Sequence, residues 1–186
     1  MSKPQEPLPA KLGIGVIYKE KTAADSAWRV MEKNWGAIDV LWEARSFDYT
    51  EYYEAEMGHP LYRRWVFFRD LVPQDRLTEI KWQALEIEKQ WTLQEKRRLN
   101  LDPGLITAER LVLATGKNYS HRIYLGKGIF GDLSLIFHKG TYRPLAWTYP
   151  DYKDEPAIEM FNKIREKYLG DISKKGFEES RVGYTK

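Results

Sequence analysis

The stretch Leu12-Gly-Ile-Gly-Val-Ile-Tyr18 is apolar on both faces and contains several β-branched residues. Such a run predicts a strand that is buried on both sides of a sheet. Outward from this strand, the pattern up to Asp102 predicts a helix, two strands, a second helix and a further strand, in that order. Because this is the split β-α-β order, the sequence predicts an α+β fold with a ferredoxin-like core.

Signals at the element ends support this order. The first helix is expected to start with Thr22 as its N-cap and to end before Gly36. Residues 38–45 and 61–72 alternate between two faces, which is the period of a strand. The second helix opens at Pro73, and its apolar residues recur every three or four positions.

The second half of the chain is expected to add to this core. The fourth strand is predicted to end at the turn Pro103-Gly104, and Ala108–Ala114 is predicted to form a short helix. Three strands then follow, joined by glycine-containing hairpin turns, at residues 121–125, 129–137 and 142–147. A last helix runs from Asp154 to Gly170. The prediction is therefore a C-terminal β-hairpin extension and a final helix, with the hairpins extending the sheet or covering its open face.

The chain has 186 residues and a mass of 22.0 kDa, which suits one domain. We expect a flexible lead at 1–11, a single α+β domain at 12–170 and a loose polar tail at 171–186. Aromatic residues make up 14% of the chain, which excludes intrinsic disorder. The chain contains no cysteine, so a disulfide scaffold and a thiolate metal site are excluded.

Hydropathy and charge narrow the function classes. No apolar run approaches the ~20 residues of a membrane span, and residues 1–11 lack an apolar signal core. A soluble cytoplasmic protein with no membrane partner is therefore expected. The formal net charge is only +3, which does not by itself imply nucleic acid. The charge is unevenly distributed, because residues 36–72 are net acidic and residues 97–150 are net basic.

Four stretches of the chain are specific in combination: Phe47-Asp-Tyr-Thr-Glu-Tyr-Tyr-Glu-Ala-Glu-Met-Gly58, Leu99-Asn-Leu-Asp-Pro-Gly104, Ser120-His-Arg-Ile-Tyr-Leu-Gly126 and Pro144-Leu-Ala-Trp-Thr-Tyr-Pro-Asp-Tyr152. With them the chain resembles an uncharacterised bacterial family, the domain-of-unknown-function family 4416. The resemblance runs from about Leu12 to Gly170. It implies a single-domain prokaryotic protein of this length, and it implies no activity and no catalytic residue.

The sequence Gly126-Lys-Gly-Ile-Phe-Gly131 matches the pattern G-x-G-x-x-G. In a dinucleotide-binding fold this loop follows a strand and opens a helix, whereas here a strand is predicted after it. The strand-loop-strand setting resembles the glycine-rich loop of protein kinases, but the other kinase motifs are missing. We therefore expect a glycine-rich hairpin turn with at least one glycine at positive φ.

Polar side chains gather in a stretch that is otherwise rich in Leu, Ile and Tyr. The candidates for acid–base catalysis are Asp102, Glu109, His121 and Asp132. The candidates for ligand binding are Arg110, Lys117, Arg122 and Tyr124. Together these residues predict a site for a small anionic ligand, such as a phosphorylated metabolite or a nucleotide, between the core sheet and the hairpin extension. Ordinary structural pairing of the same side chains is the alternative interpretation.

Geometry on the predicted strands restricts this site. Asp102 is expected at a strand end beside the Pro-Gly turn, where its carboxylate faces a cleft. His121 and Arg122 are neighbours on one strand, so only one of them is expected to face a given pocket. The spacing matches no metal signature such as H-E-x-x-H, so no metal site is predicted. The sequence leaves open the cofactor, the oligomeric state and whether the chain is an enzyme.

Aromatic residues mark two further segments. The tyrosine-rich segment, residues 47–58, is acidic and is expected to cover the open face of the sheet; a ligand lid and a protein contact are the alternatives. Residues 144–152 hold Trp147, Tyr149 and Tyr152 between prolines, and they either pack or form a stacking platform.

Two other function classes stay open at this point. One is an RNA-binding module that stacks bases on a strand face, with the face formed by Arg63, Trp65, Phe67 and Arg69. It is not favoured, because the chain lacks the aromatic-basic consensus of such modules. The other is an interaction scaffold that uses the tyrosine-rich segment.

Overall fold

A computed structural model describes residues 3–174 and 176 of the chain. The strands are β1 (Ala10–Tyr18), β2 (Ile38–Leu41), β3 (Arg45–Ser46), β4 (Tyr62–Val72), β5 (Thr92–Leu93), β6 (Lys96–Arg97), β7 (Leu99–Ile106), β8 (Arg110–Thr115), β9 (Arg122–Gly126), β10 (Ile129–His138) and β11 (Thr141–Pro144). The helices are α1 (Lys21–Trp35), α2 (Glu54–Met57), α3 (Leu77–Gln90), α4 (Pro150–Lys153) and α5 (Glu155–Lys174), with a 3₁₀ turn at Gln74–Arg76. The predicted α+β class is confirmed.

In the part of the chain that the structure describes, nine strands form one antiparallel sheet. The order across the sheet is β11-β10-β8-β7-β1-β4-β2, with β3 paired to β4 and β9 paired to β10. The strands β5 and β6 form a separate short hairpin. The strands from β8 to β11 therefore extend the sheet beyond β7. Because this one sheet joins strands from both halves of the chain, the described residues form a single domain.

The strand β1 lies inside the sheet, where β4 and β7 pair with its two edges. All of its residues are buried, which confirms the strand predicted from Leu12 to Tyr18. Its even-numbered residues belong to the core that α1 and α3 cover. Its odd-numbered residues face the opposite layer, and two of them, Gly13 and Gly15, have no side chain there.

The other face of the sheet is covered by α4 and α5. Trp65 and Phe67 of β4 make edge-to-face contacts there with Phe161 of α5, and Trp65 also contacts Tyr152 of α4. The sequence predicts that the hairpins or residues 47–58 cover this face of the sheet. In the structure the C-terminal helices cover it instead. The tyrosine-rich segment instead packs at one end of the sheet, against the end of β1.

Two predictions in the middle of the chain are wrong. The strand β7 continues through Pro103-Gly104 to Ile106, where the sequence predicts a turn. Proline is tolerated because β8 pairs with β7 only from Gly104 onward, so no ladder is interrupted on that side. The residues Ala108–Ala114 form most of β8 rather than a helix. They do so because Leu111 and Leu113 pack on one face of the sheet and Val112 on the other.

Several predicted element ends also differ. The helix α1 starts at Lys21, and no side chain caps it, so Thr22 is not its N-cap. The helix α5 continues past Gly170 to Lys174 because Ile172 is buried against the protein. The predicted tail therefore starts within a helix, and residues 177–186 lie outside the described part. At the other end, Ala10 and Lys11 belong to β1 rather than to the lead. None of the described helices is long and apolar enough to cross a membrane.

The glycine-rich sequence forms the turn of the β9–β10 hairpin. Gly126 and Gly128 have φ angles of +108° and +75°, so the predicted hairpin with glycine at positive φ is confirmed. Gly131 lies in β10 and is not at positive φ. A side chain there would approach Leu125 and Val112, at 3.3 and 3.4 Å from the added Cβ atom.

We expect Gly15→Ala to lower the free energy of unfolding by about 1–3 kcal/mol, the range for overpacked cores. A Cβ atom at this position would lie 2.5 Å from the Tyr152 hydroxyl and 2.6 Å from a guanidinium nitrogen of Arg63. Both of these side chains are buried, so neither can move aside cheaply. Urea unfolding measures the effect.

The matched control is Gly116→Ala, because nothing lies within 4 Å of a Cβ atom added at that exposed position. We expect this control to stay within about 0.5 kcal/mol of the wild type. Equal stability of the two variants would show that the contact at Gly15 is not restrictive.

Candidate functional site

A buried arginine lies at the base of the site. Arg63, on β4, is 4% exposed, and it donates a 3.0 Å hydrogen bond to Asp102 on β7. Its other terminal nitrogen lies 2.7 Å from a carboxylate oxygen of Asp151 on α4. Three aromatic rings surround the guanidinium carbon at 5.2, 5.7 and 5.3 Å, those of Phe47, Trp65 and Tyr152. Arg63 therefore joins four separate regions of the chain.

The two carboxyl groups paired with Arg63 differ in the direction of their pKa shifts. Burial alone would raise the pKa of Asp102, but Arg63, Lys81 and a hydrogen bond from Asn100 outweigh it and hold that pKa below its ordinary value of 3.8. At Asp151 burial dominates and raises the pKa, although Arg63 opposes it. Asp102 is also in contact with solvent, since 26% of its side chain is exposed. It therefore presents a carboxylate to solvent at neutral pH.

A chain of hydrogen bonds connects Asp102 to the tyrosine-rich segment. Asn100 donates to Asp102 at 2.9 Å, and Arg97 donates to Asn100 at 3.1 Å. The guanidinium of Arg97 also donates two hydrogen bonds to Glu56 of α2, at 2.7 and 2.8 Å. The segment buries apolar side chains at both of its ends. These contacts make it a fixed cover over one end of the sheet.

A second cluster forms where β9 pairs with β10. Asp132 is buried and accepts a 2.8 Å hydrogen bond from Nε of Arg122, and Nε2 of His121 lies 3.3 Å from the same oxygen. Arg122 also donates to the main-chain carbonyl of Lys117 at 2.9 Å and to the Tyr149 hydroxyl at 2.8 Å. Both side chains reach Asp132, but only His121 also lines a groove on the α3 side of the sheet. Because β9 begins at Arg122, His121 lies before the strand and does not follow its alternation.

A lysine and a tyrosine meet at the mouth of the site. Nζ of Lys117 lies 3.1 Å from the Tyr52 hydroxyl and 4.3 Å from the centre of that ring. This contact joins the β8–β9 loop to the tyrosine-rich segment. Burial raises the pKa of Tyr53 and of Tyr149, and the charge of Asp102 adds to the rise in both cases, so both hydroxyls lie near that carboxylate. We call this arrangement the Asp102 cleft, formed by Tyr52, Tyr53, Asp102, Lys117, Arg122 and Tyr149.

Three predicted site residues lie elsewhere. Arg110 is exposed on β8 and lines a groove on the α3 side of the sheet. Glu109 accepts a 2.7 Å hydrogen bond from Thr107. Tyr124 packs on the ring of Phe130, and its hydroxyl accepts a hydrogen bond from the main chain of Gly128. The structure therefore brings together Asp102, Lys117, Arg122, Asp132 and His121, and leaves these three out.

The strand face considered for RNA is accessible only at Arg69, since its two aromatic residues and Arg63 are buried. Arg63, Trp65 and Phe67 are each 4% exposed or less because α4 and α5 cover them. A base therefore has no surface on which to stack at this position. No group of three or more His, Cys, Asp or Glu residues within 3–174 is arranged to hold a metal ion.

Sequence reasoning missed Arg63 and Asp151 as parts of the site. A signal for Arg63 was present, because the alternation of β4 places this arginine on the same face as Trp65 and Phe67. A charged residue among large aromatic residues on one strand face indicates a buried ion pair. Asp151 gave no comparable signal, since its partner is distant in sequence.

The charges of the site leave one cation without a carboxylate. Arg122 pairs with Asp132, and Arg63 pairs with both Asp102 and Asp151. Lys117 makes no salt bridge with any residue in the described range, and its ammonium contacts only the neutral Tyr52. The solvent-facing donors of the Asp102 cleft are therefore an ammonium group and tyrosine hydroxyls, which are suitable partners for an anion.

Comparison with known proteins identifies one family. The model of a domain of unknown function (DUF4416) matches residues 8–168. This range contains every residue of the Asp102 cleft and nearly all of the described sheet. No curated protein and no solved structure matches the chain.

We expect Arg63→Met to lower the free energy of unfolding by about 3–5 kcal/mol, because it leaves the buried Asp151 and the half-buried Asp102 without their cation. The matched control is Arg76→Met, which breaks an exposed pair with Glu79 and is expected to cost about 1 kcal/mol or less. Urea unfolding at neutral pH compares the two. A cost at Arg63 no larger than that at Arg76 contradicts the network described above.

The lowered pKa of Asp102 predicts how its contribution to stability depends on pH. A carboxyl whose pKa is lower in the folded chain stabilises the fold above its ordinary value of 3.8, and the contribution is lost as the pH falls through the folded-state value. We expect the stability difference between wild type and Asp102→Asn to be largest at neutral pH and to shrink below pH ~4. Urea unfolding from pH 7 to pH 2.5 measures it, and a difference that is independent of pH contradicts the assignment.

Proposed function

The chain belongs to the DUF4416 family, and from its geometry we propose that it binds a small anionic ligand, such as a phosphorylated metabolite or a nucleotide, in the Asp102 cleft. The observation that carries the proposal is Lys117, a cation with no carboxylate partner among the described residues, held over Tyr52 at the mouth of the cleft. An exposed ammonium group in that position contributes both charge and hydrogen-bond donors to a phosphate or carboxylate.

The surroundings of Lys117 support this ligand class. The hydroxyl of Tyr52 accepts from Lys117, and that of Tyr149 accepts from Arg122, so the proton of each hydroxyl remains available to a ligand. Arg122 holds the loop of Lys117 through its main-chain carbonyl. The hydroxyls of Tyr52 and Tyr149 and the loop that carries Lys117 are thus held in place before a ligand binds, which reduces the entropy lost on binding.

The protonation of Asp102 favours binding over catalysis. A general base works best when its pKa lies near the working pH, whereas the pKa of Asp102 is held below 3.8. We propose that this carboxylate accepts a hydrogen bond from a hydroxyl group of the ligand. A phosphorylated sugar or nucleotide combines such a hydroxyl with the anionic group that Lys117 would bind.

For the fold we propose the ferredoxin-like core expected from the sequence. The four strands β7, β1, β4 and β2 are adjacent in that order and antiparallel. Both α1 and α3 contribute to the core cluster on one face of these strands. This arrangement supports a split β-α-β core to which β8–β11, α4 and α5 are added.

Thermal-shift and calorimetric titrations with ribose 5-phosphate and AMP test the proposed function, with ribose and adenosine as neutral counterparts. The phosphorylated compounds are expected to raise the melting temperature, since a ligand at 100 times its Kd adds about 2.7 kcal/mol. We expect Lys117→Gln to weaken their binding at least tenfold. We expect Asp102→Asn to leave the phosphate contact in place.

The matched control is Lys163→Gln, which removes another exposed lysine that lies over an aromatic ring, 5.7 Å from the centre of Trp42. This control is expected to bind as the wild type does. The proposal fails if neither anion shifts the melting curve, or if the two lysine variants behave alike. Loss of binding in Asp102→Asn together with unchanged binding in Lys117→Gln would contradict the assignment of the anionic group to Lys117.

A further inference from the structure

A groove lies on the other side of the hairpin extension, away from the Asp102 cleft. It has a volume of about 380 Å³ and runs between the start of α3 and the strands β8, β9 and β10. Most of its lining is apolar, with Leu77, Leu105, Val112, Ile123, Leu125 and Leu133 as the large side chains. We call it the Arg110 groove, because Arg110 lines it together with Gln74, Thr107 and His121.

The fold explains why this surface is left open. The helix α3 begins at Leu77 and covers the core strands, but the sheet continues beyond it through β8 and β10. The hairpin tip comes back toward α3, where Trp82 donates a 3.1 Å hydrogen bond to the main-chain carbonyl of Lys127. Gly131 keeps the floor of the groove clear, since a side chain there would approach Leu125 and Val112. The result is an apolar channel with a fixed outer wall.

The size of the groove restricts its occupant. Ligand pockets of about 300–1,000 Å³ accept small molecules. The groove is therefore large enough for a compact organic molecule.

The charges around the groove restrict the chemistry of that molecule. Arg110 is exposed, and within residues 3–174 it forms neither a salt bridge nor a side-chain hydrogen bond. His121 directs its Nε2 to Asp132 on the other side of the hairpin. Arg110 is thus the arginine of a lining that is mostly apolar and holds no lysine or carboxylate, and guanidinium groups pair with carboxylates in a bidentate geometry.

We infer that the Arg110 groove is a binding site for an amphipathic carboxylate, with the apolar chain of the molecule between α3 and the β9–β10 hairpin and its carboxylate on Arg110. This ligand differs from the one proposed for the Asp102 cleft. Its anionic group is attached to a chain of methylene groups, whereas the ligand of the cleft carries hydroxyl groups. The exposed position of Ile123, which is 72% exposed in the free protein, fits this assignment, since a bound chain covers that side chain.

Calorimetric titration of the full-length chain with decanoate tests the inference, and 1-decanol provides the matched neutral probe. Decanoate is expected to bind at least tenfold more tightly than decanol. In Arg110→Gln this difference is expected to disappear, because only the carboxylate interacts with the guanidinium. In Ile123→Ser both probes are expected to bind more weakly, because the variant removes apolar contact and leaves the charge in place.

Two controls separate this site from the rest of the surface. Arg29→Gln removes another exposed arginine, on α1, that has no ion-pair partner among the described residues, and it is expected to bind decanoate as the wild type does. Lys117→Gln is also expected to leave decanoate binding unchanged, so the two sites are tested independently. The inference is overturned if decanoate shows no saturable binding, if decanol binds equally well, or if the variants at Arg110 and Arg29 behave alike.

Discussion

The Arg63 guanidinium is a charge removed from water, and such a removal costs several kcal/mol unless opposite charges compensate it. The compensation comes from two carboxylates, Asp102 on β7 and Asp151 on α4. Because both lie far from Arg63 in sequence, the pair interactions form only when β7 and the C-terminal layer are in their native positions. The same group restricts β1, where a residue larger than Gly15 would occupy the space of the guanidinium and of Tyr152.

The Asp102 cleft follows from this constraint. With Asp151 held by Arg63, the helix α4 is fixed, and Tyr149 immediately before it reaches Arg122. Asp102 is held by Arg63 and Asn100. Asn100 in turn binds Arg97, and Arg97 binds Glu56, so these contacts hold the tyrosine-rich segment beside the site. At the mouth of the cleft, the contact between Lys117 and Tyr52 is made by exposed side chains. The buried base therefore positions the exposed groups that would meet a ligand.

The local pattern of apolar residues predicts the elements whose conformation does not depend on a particular partner strand. The helices α1 and α3 follow from the spacing of their apolar residues, because each has one layer to pack against, and β1 follows from an apolar run that suits burial on both faces. The predictions for Pro103-Gly104 and Ala108–Ala114 are wrong because the conformation of both segments depends on strand pairing. The pairing of β7 with β8 starts at Gly104, and no local sequence pattern reveals this starting point. Among the site residues, Arg122 connects Lys117 to Asp132, and the sequence also places these three in one site. The sequence analysis does not include Arg63 in that site, because the partners of Arg63 are remote in sequence.

The uneven charge along the sequence also acquires a physical meaning in the fold. Ion pairs within the protein neutralise part of the excess positive charge of residues 97–150, since Arg97 binds Glu56 and Arg122 binds Asp132. Several cations of the extension form no salt bridge within the described residues: Arg110, Lys117, Lys127, Lys139 and Arg143. The carboxylate of Asp132 does not balance them, because it is bound to Arg122. The Asp102 cleft and the Arg110 groove lie on opposite faces of this one extension, and each presents one cation that forms no salt bridge among the described residues, Lys117 in the first and Arg110 in the second.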